Sequence, residues 1–255
     1  MILFSCWKLC RLMLSVTDLI RPQWTLPAGV RACISTRQGG CSGAPWDSNN
    51  LGLHVGDDAG HVQHNRRELL LNLPGANAIQ WLDQIHGAAV TEACGGQVLL
   101  TADAQFSRRT GLACAVLTAD CLPVLFCAAD GSQVAAAHAG WRGLAGGVLL
   151  NTLQTFADPA AVMVFLGPAI GPSAFEVGPE VRAAFPRATA GCFRPGDGDR
   201  WYGDLYQLAR EQLQAAGVRD IQGGNFCTFS EKERFYSYRR DGCTGRMASL
   251  IWRCR

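Results

Sequence analysis

Leu112 to Gly143, LACAVLTADCLPVLFCAADGSQVAAAHAGWRG, constrains the fold more than any other stretch, because three apolar runs follow one another with only short breaks between them. LACAVLTAD and LPVLFCAAD each end in Asp, and the Ala129 to Ser132 turn signal precedes the apolar QVAAAH. The pattern predicts strand, turn, strand at the centre of a sheet. Cys121 falls at the break between the first two runs and His138 at the end of the third. Gly140 and Gly143 then open a helix-like segment, LAGGVLLNTLQTF, predicted to run to about Phe156. Strand ends facing helix starts are where α/β proteins place chemistry.

With 255 residues and 48% hydrophobic content, the chain can bury a sizeable core, and one large domain is the expectation. A formal charge of +2 without a Lys or Arg run argues against a nucleic-acid footprint or an anionic membrane patch, leaving small-molecule chemistry. The twelve cysteines include no CxxC, and Cys33, Cys114 and Cys127 lie inside apolar runs where a reduced thiol acts as a small hydrophobe. This composition predicts a reducing, cytoplasmic location. The opening MILFSCWKLCRLMLSVTDLI is interrupted by Lys8 and Arg11, lacks a small-residue cleavage site, and is too short and charged to span a bilayer. Residues 1–23 are therefore read as a leader and 24–255 as the folded domain, beginning near Trp24.

VRACISTR (Val30 to Arg37) reads as a strand running into the glycine-rich QGGCSG, which sets Arg37 at a strand end beside a loop able to hold an anion. Asn50 and His54 lie in the polar, turn-rich segment that follows, and HVQHNRRELLLNL has helical spacing. His61 and His64, three residues apart there, lack a third partner for a metal. Ala78 to Val90 reads as another strand-like run, broken at His86 and Gly87. His86, Cys121 and His138 thus come from the ends of three apolar runs that one sheet could bring together, and one Cys with two His is a sensible zinc set with a fourth position open to water or substrate.

Rival chemistries are tested on the same residues. A cytidine-deaminase zinc site needs His-x-Glu, and His54, His86 and His138 are followed at the second position by Gly56, Ala88 and Gly140. A multicopper oxidase needs closely spaced His-x-His pairs, which five histidines without one such pair do not supply. A metal-free hydrolase with Cys121 as nucleophile and His138 as base remains open. Downstream, AVMVFLGPAIGPSAFEVG predicts a buried strand entering a Gly/Pro-rich loop, and Gly203 to Ala216 an amphipathic helix ending at Gly217. Arg239, Arg240 and Arg246 cluster near Gly and Ser, a pattern that serves either as a phosphate clamp or as an exposed basic turn.

The motifs STRQGGCS, NLGLHVGDD, NRREL, QIHG, TADCLPVLF, AAAHAGWRG, GPAIGPSAFEVG and FYSYRRDGCTGRMAS, in that order from Trp24 to Trp252, resemble the YfiH-like family. That family has been described as laccase-domain or polyphenol oxidase-like proteins and as purine nucleoside phosphorylases. The resemblance implies zinc ligands at His86, Cys121 and His138, catalytic roles for Arg37, Cys121 and His138, and phosphate or substrate contact by Arg37. It implies a single compact α/β domain layered α/β/β/α with mixed sheets. The chemistry implied is zinc-dependent phosphorolysis of adenosine, inosine, guanosine and 5′-methylthioadenosine, with adenosine deamination as a second reaction and copper able to substitute for zinc. Asn50, His54 and Arg239 are further substrate-binding candidates, and Asp120 and Asp103 are the polar candidates for the proton donor. A monomer or homodimer is expected. Many relatives have cysteines where this chain has Ala169 and Ser173 or Ala174, a departure that leaves the implied ligand set intact. Three other readings stay open: a hydrolase editing peptidoglycan precursors, a copper-dependent polyphenol oxidase, and a non-catalytic zinc-binding module.

Overall fold

The computed structural model describes residues 19–95 and 98–254. Along the chain come β1 (Leu19–Ile20), β2 (Val30–Ser35), α1 (Ala59–Leu71), β3 (Ala78–Gln80), β4 (Leu82–Asp83), β5 (Val90–Glu92), β6 (Leu100–Thr101) and β7 (Ala104–Ser107). The central stretch supplies β8 (Leu112–Thr118), β9 (Leu122–Ala128), β10 (Val134–Ala139), α2 (Trp141–Ala145) and α3 (Val148–Leu153). Then follow β11 (Val162–Leu166), β12 (Glu176–Val177), α4 (Pro179–Ala183), β13 (Phe193–Pro195), β14 (Trp201–Gly203), α5 (Leu205–Ala215), β15 (Asp220–Gly223), α6 (Tyr238–Asp241) and β16 (Met247–Arg253).

Two mixed sheets carry the fold. One runs β1-β2-β16-β8-β3 and the other β15-β11-β9-β10-β7-β5, with β12-β14-β13 and β4-β6 as small satellites. The period-2 alternation of the central strands explains the layering. From β8, Ala113, Ala115 and Leu117 face a cluster that includes Leu69 of α1 and Leu73 just after it, while Cys114 and Val116 face Leu125, Cys127, Val134 and Ala136 of the other sheet. From β9 and β10, Val124, Phe126, Ala135 and Ala137 face Leu149, Leu153, Leu208 and Leu213 of α3 and α5. The order across the molecule is therefore α1, five-stranded sheet, six-stranded sheet, helices, as the resemblance implied. Burying each such Val, Leu or Phe contributes about 1.5–3 kcal/mol, so the faces between layers dominate the stability of the frame.

Local signals set the helix ends. Asp58 caps α1 by accepting from Gly60 and His61 N–H, and Asp204 caps α5 by accepting from Gln207 N–H. Gly217, at φ +95°, follows α5 where only glycine turns freely into the left-handed region.

Four expectations are corrected. The apolar runs β8 and β9 do not pair with each other; they stand in different sheets, so Cys121 lies on the crossover between sheets and not within one. The run from Ala78 splits because β3 pairs with β8 while β4 pairs with β6. The helix expected from Trp141 to Phe156 breaks at Gly146 and Gly147, the latter left-handed at φ +89°. The sheet also begins upstream of Trp24, since Leu19 and Ile20 pair with Ser35 and Ile34; of the expected leader, residues 1–18 lie outside the described residues. Among the described residues no helix is long and apolar enough to cross a membrane.

Candidate metal centre and its cavity

Where β8 ends, Ala119 to Cys121 step across to β9 in the facing sheet. The step forces Asp120 to φ +89°, a strained conformation for a residue with a Cβ. Its buried carboxylate holds the turn: one oxygen accepts the Thr228 hydroxyl at 2.6 Å, the other the Ser237 hydroxyl at 3.0 Å and the Arg239 backbone N–H at 2.7 Å. The Asp120 carbonyl accepts from Ile170 N–H at 2.9 Å. Asp120 is thus the clamp of the crossover that presents Cys121.

His86 is also left-handed, at φ +59°, on the loop between β4 and β5. The preceding Gln84 ties that loop to β8, donating to the Leu117 carbonyl at 2.8 Å and accepting from Leu117 N–H at 2.7 Å. Asp103 completes the fastening. Its fully buried carboxylate accepts N–H groups from Ile85, His86 and Gly87 at 3.2, 2.9 and 2.6 Å and meets Nδ1 of His138 at 2.8 Å. Burial opposes the charge on Asp103, but the His138 ring and the Gly87 N–H outweigh it and hold the carboxyl below its ordinary range. One side chain therefore fixes the backbone of one histidine and the ring of the other. That loop places His86 off any strand end, contrary to expectation.

The donor atoms of His86, Cys121 and His138 all lie within 4.8 Å of one another. A tetrahedral zinc, with Zn–S of about 2.3 Å and Zn–N of about 2.0–2.1 Å, sets its donors about 3.3–3.6 Å apart, so a small inward turn of the rings closes the set. Three features fit a metal. Asp103 occupies Nδ1 of His138 and so turns Nε2 toward the cluster, the outer carboxylate typical of metal-bound histidine. Gly140 leaves room: a Cβ there would stand 2.9 Å from Cys121 Sγ and 3.2 Å from His86 Cδ2. Burial opposes ionisation of Cys121, yet the neighbouring His138 and His86 rings outweigh it and bring the thiol down to about 6. The reverse effect acts on His138, where burial disfavours the cation but the Cys121 thiolate and Asp103 raise the ring to about 9. A soft thiolate and two imidazoles suit zinc and, by the same donors, copper.

The cluster lies in the wall of a cavity of about 500 Å³. Leu117, Trp141, Ile170, Phe175, Leu205 and Tyr238 give it a largely apolar and aromatic lining, and His54, Arg239 and Arg246 add polar groups. Of the residues singled out in the sequence for substrate or phosphate contact, His54, Arg239 and Arg246 therefore reach the site. Two do not. Arg37 lies in a separate polar hollow with Asp47, Lys232 and Arg240, where its guanidinium bonds Asp47 and the Lys232 carbonyl and covers the Tyr236 ring. Asn50 is buried and satisfied by Gly52, Asp57 and the Arg246 backbone. His61 turns to Asp57 at 3.9 Å, and among the described residues neither it nor His64 belongs to a metal-sized cluster. Sequence reasoning missed Trp141, Phe175 and Tyr238 as walls, although each sits inside a quoted motif. Ala169 and Ala174 contribute backbone groups, the first bonding the Tyr206 hydroxyl and the second accepting from Arg239.

Fold and site together define a four-layered α/β protein with a mononuclear-sized Cys/His₂ cluster beside the turn that carries the chain from one sheet to the other. The chain belongs to the YfiH-like family: residues 31–254 match the family described as "Multi-copper polyphenol oxidoreductase laccase". It is similar to the purine nucleoside phosphorylase YfiH of Escherichia coli (strain K12), 53% identical over 245 residues that span 93% of this chain and 99% of the relative. A purine nucleoside phosphorylase of Pseudomonas aeruginosa is 54% identical over 238 residues, 91% of this chain and 97% of that protein. Among solved structures, a Neisseria meningitidis protein superposes with a TM-score of 0.88 at 47% identity, covering 93% of this chain and 100% of the other. YlmD from Geobacillus stearothermophilus gives 0.86 at 33% identity, over 94% and 98%.

Proposed function

We propose that the protein is a zinc-dependent purine nucleoside phosphorylase, acting on adenosine, inosine, guanosine and 5′-methylthioadenosine, with adenosine deamination as a second reaction. The observation that carries the reading is the three-donor cluster in the wall of an apolar, aromatic cavity that also holds two arginines, a combination suited to a flat base and an oxyanion together. The names of the relatives point the same way.

In phosphorolysis a phosphate oxygen bonds to C1′ of the ribose as the C1′–N9 bond breaks. The bonding pair leaves with the purine, which takes the proton of hydrogen phosphate, and ribose 1-phosphate keeps the two negative charges. Held by His86, Cys121 and His138, a zinc ion would supply Lewis acidity toward an oxygen of phosphate or water. The chain's own part is positional. Phe175 and Tyr238 give the cavity aromatic surface suited to a purine, Trp141 helps exclude water, and Arg239 and Arg246 are available to the anion. Asp103 holds the His138 tautomer, and Asp120 is occupied in bonding the crossover rather than placed as the proton donor. Ten unpaired cysteines among the described residues accord with a reducing, cytoplasmic setting.

The test is product analysis with inosine, with and without phosphate, on metal-loaded protein. Hypoxanthine with ribose 1-phosphate, formed only when phosphate is present, is the expected result. Brisk phenol oxidation without any phosphate-dependent base release would refute the reading.

A further inference from the structure

Arg246 is a half-buried cation facing the cavity, and among the described residues no carboxylate pairs with it. Its Nη1 donates to the Thr244 and Gly245 carbonyls at 3.0 Å each, leaving Nε and Nη2 without a protein acceptor among the described residues. The guanidinium stands over the Tyr238 ring, 5.9 Å from its centroid, so three of its five N–H donors face the cavity and can meet an arriving anion. Other arginines of this region are engaged differently: Arg37 pairs with Asp47 and Arg240 with Asp241.

The seat of Arg246 is built from a segment almost two hundred residues away. Its backbone N–H donates to Asn50 Oδ1 at 2.9 Å and its carbonyl accepts from Leu51 N–H at 3.1 Å. Asn50 is itself immobilised by Gly52 and Asp57. Gly52 is small for a reason, since a Cβ there would stand 2.8 Å from Cγ of Arg246. Two loops thus converge to aim one fork of N–H donors into the cavity. Arg239, with Nη1 on the Glu176 carbonyl and no carboxylate partner among the described residues, and His54 line the same space. Arg246 lines the same cavity as His86, Cys121 and His138, so an anion held there shares the space of the candidate metal cluster.

We propose that Arg246, assisted by Arg239 and His54, is the phosphate-binding subsite of this enzyme, and that Arg37 is not. The proposal rests on the phosphorylase reading for its role but not for its binding chemistry. A planar guanidinium meets two phosphate oxygens at once, which a lysine cannot do.

The experiment uses metal-loaded, full-length protein with inorganic phosphate as probe, read by titration calorimetry and by the KM for phosphate at saturating inosine. Arg246→Gln is expected to weaken phosphate binding by about 10- to 100-fold, the loss of one charge-assisted bidentate contact, while the KM for inosine moves by less than about threefold. Gly52→Ala should weaken phosphate in the same direction with every charge retained, and Arg246→Lys should recover only part of the affinity. Those two variants decide the matter where Arg246→Gln fails to fold. Wild-type affinity for phosphate in Arg246→Gln, or a loss that appears in Arg37→Gln instead, would overturn the subsite, as would wild-type protein that binds no phosphate. Phosphate bound through Arg246 by a protein that releases no base from inosine would uphold the subsite and sink the phosphorylase reading.

Discussion

Asp103→Asn is the perturbation that separates the scaffold of the cluster from its ligands. The wild-type carboxylate is an acceptor at both oxygens: Oδ1 faces His86 N–H and His138 Nδ1, and Oδ2 faces Ile85 and Gly87 N–H. An amide can satisfy only one of these faces. With its NH₂ toward Ile85 and Gly87, two backbone donors confront a donor in a fully buried site. With the amide flipped, His138 must switch tautomer to accept at Nδ1, which puts its proton on Nε2 and removes that nitrogen from the metal, and His86 N–H is still orphaned. Each orphaned buried donor costs about 1–3 kcal/mol. The first orientation thus costs about 2–6 kcal/mol of stability, and the second trades part of that for metal affinity. Loss of an outer-shell carboxylate lowers metal affinity by about 10- to 100-fold. Urea denaturation with and without chelator gives the stability, and competition with a chromophoric chelator gives the affinity. Cobalt-loaded protein should show an altered visible spectrum as the ring reorients. A variant within about 0.5 kcal/mol of wild type that also binds metal at wild-type affinity would refute the role assigned to Asp103.

Three shorter predictions follow from the same geometry. His86→Ala, Cys121→Ala and His138→Ala should each lose most of the bound metal, measured by elemental analysis, yet keep a cooperative melt, because a core of this size does not depend on a metal staple; full zinc occupancy in Cys121→Ala would remove it from the ligand set. Gly140→Ala places a methyl 2.9 Å from Cys121 Sγ and should lower metal affinity at least about tenfold with circular dichroism unchanged; unaltered affinity would show that the cradle gives way easily. Burial disfavours the Glu211 carboxylate, but the Thr189 hydroxyl and backbone N–H and the Gln207 amide outweigh it and hold it down at about 2, against an ordinary 4.5. Its contribution is therefore present above pH 4.5 and lost as the pH falls from 4.5 toward 2, so Glu211→Gln should flatten that limb of a stability–pH curve; an unchanged limb would assign the acid loss to other groups.

The convergence of His86, Cys121 and His138 was legible in the sequence and the frame that brings them together was not. His86, Cys121 and His138 each stand at a break in an apolar run, and such breaks survive whichever sheet the runs join. The alternation that buries both faces of β8 and β9 is the same whether two strands pair side by side or stack in facing sheets. Nothing local in TADCLP reveals that the turn crosses from one sheet to the facing one, a spacing of about 10 Å in packed sheets generally. Asp103 illustrates a second limit. In TADAQF it looks like any acid before a strand, and its importance comes from three N–H groups and a ring supplied by residues 85–87 and 138. Arg37 and Arg246 illustrate a third, since both are arginines beside glycine in a motif. Only the packing of Asn50 and Gly52 turns one of them into the cavity.

The strain in the site explains why so much of the frame is devoted to it. His86 and Asp120 both adopt positive φ, a conformation that costs about 1–3 kcal/mol each and persists only where the surroundings over-determine it. Asp103 supplies that surplus for His86 and the Thr228, Ser237 and Arg239 donors supply it for Asp120. The donors that result number three, which is a set for one metal. Electron transfer from phenols to oxygen through a trinuclear copper cluster draws on paired histidines, and His54, His61 and His64 do not join this cluster. Copper(II) outcompetes zinc at most mixed N/S sites, so copper uptake in vitro, with weak oxidase activity, is a property to be expected of these donors whatever the physiological reaction. A donor set that accepts either metal is therefore compatible with both the family description and the phosphorylase names of the relatives.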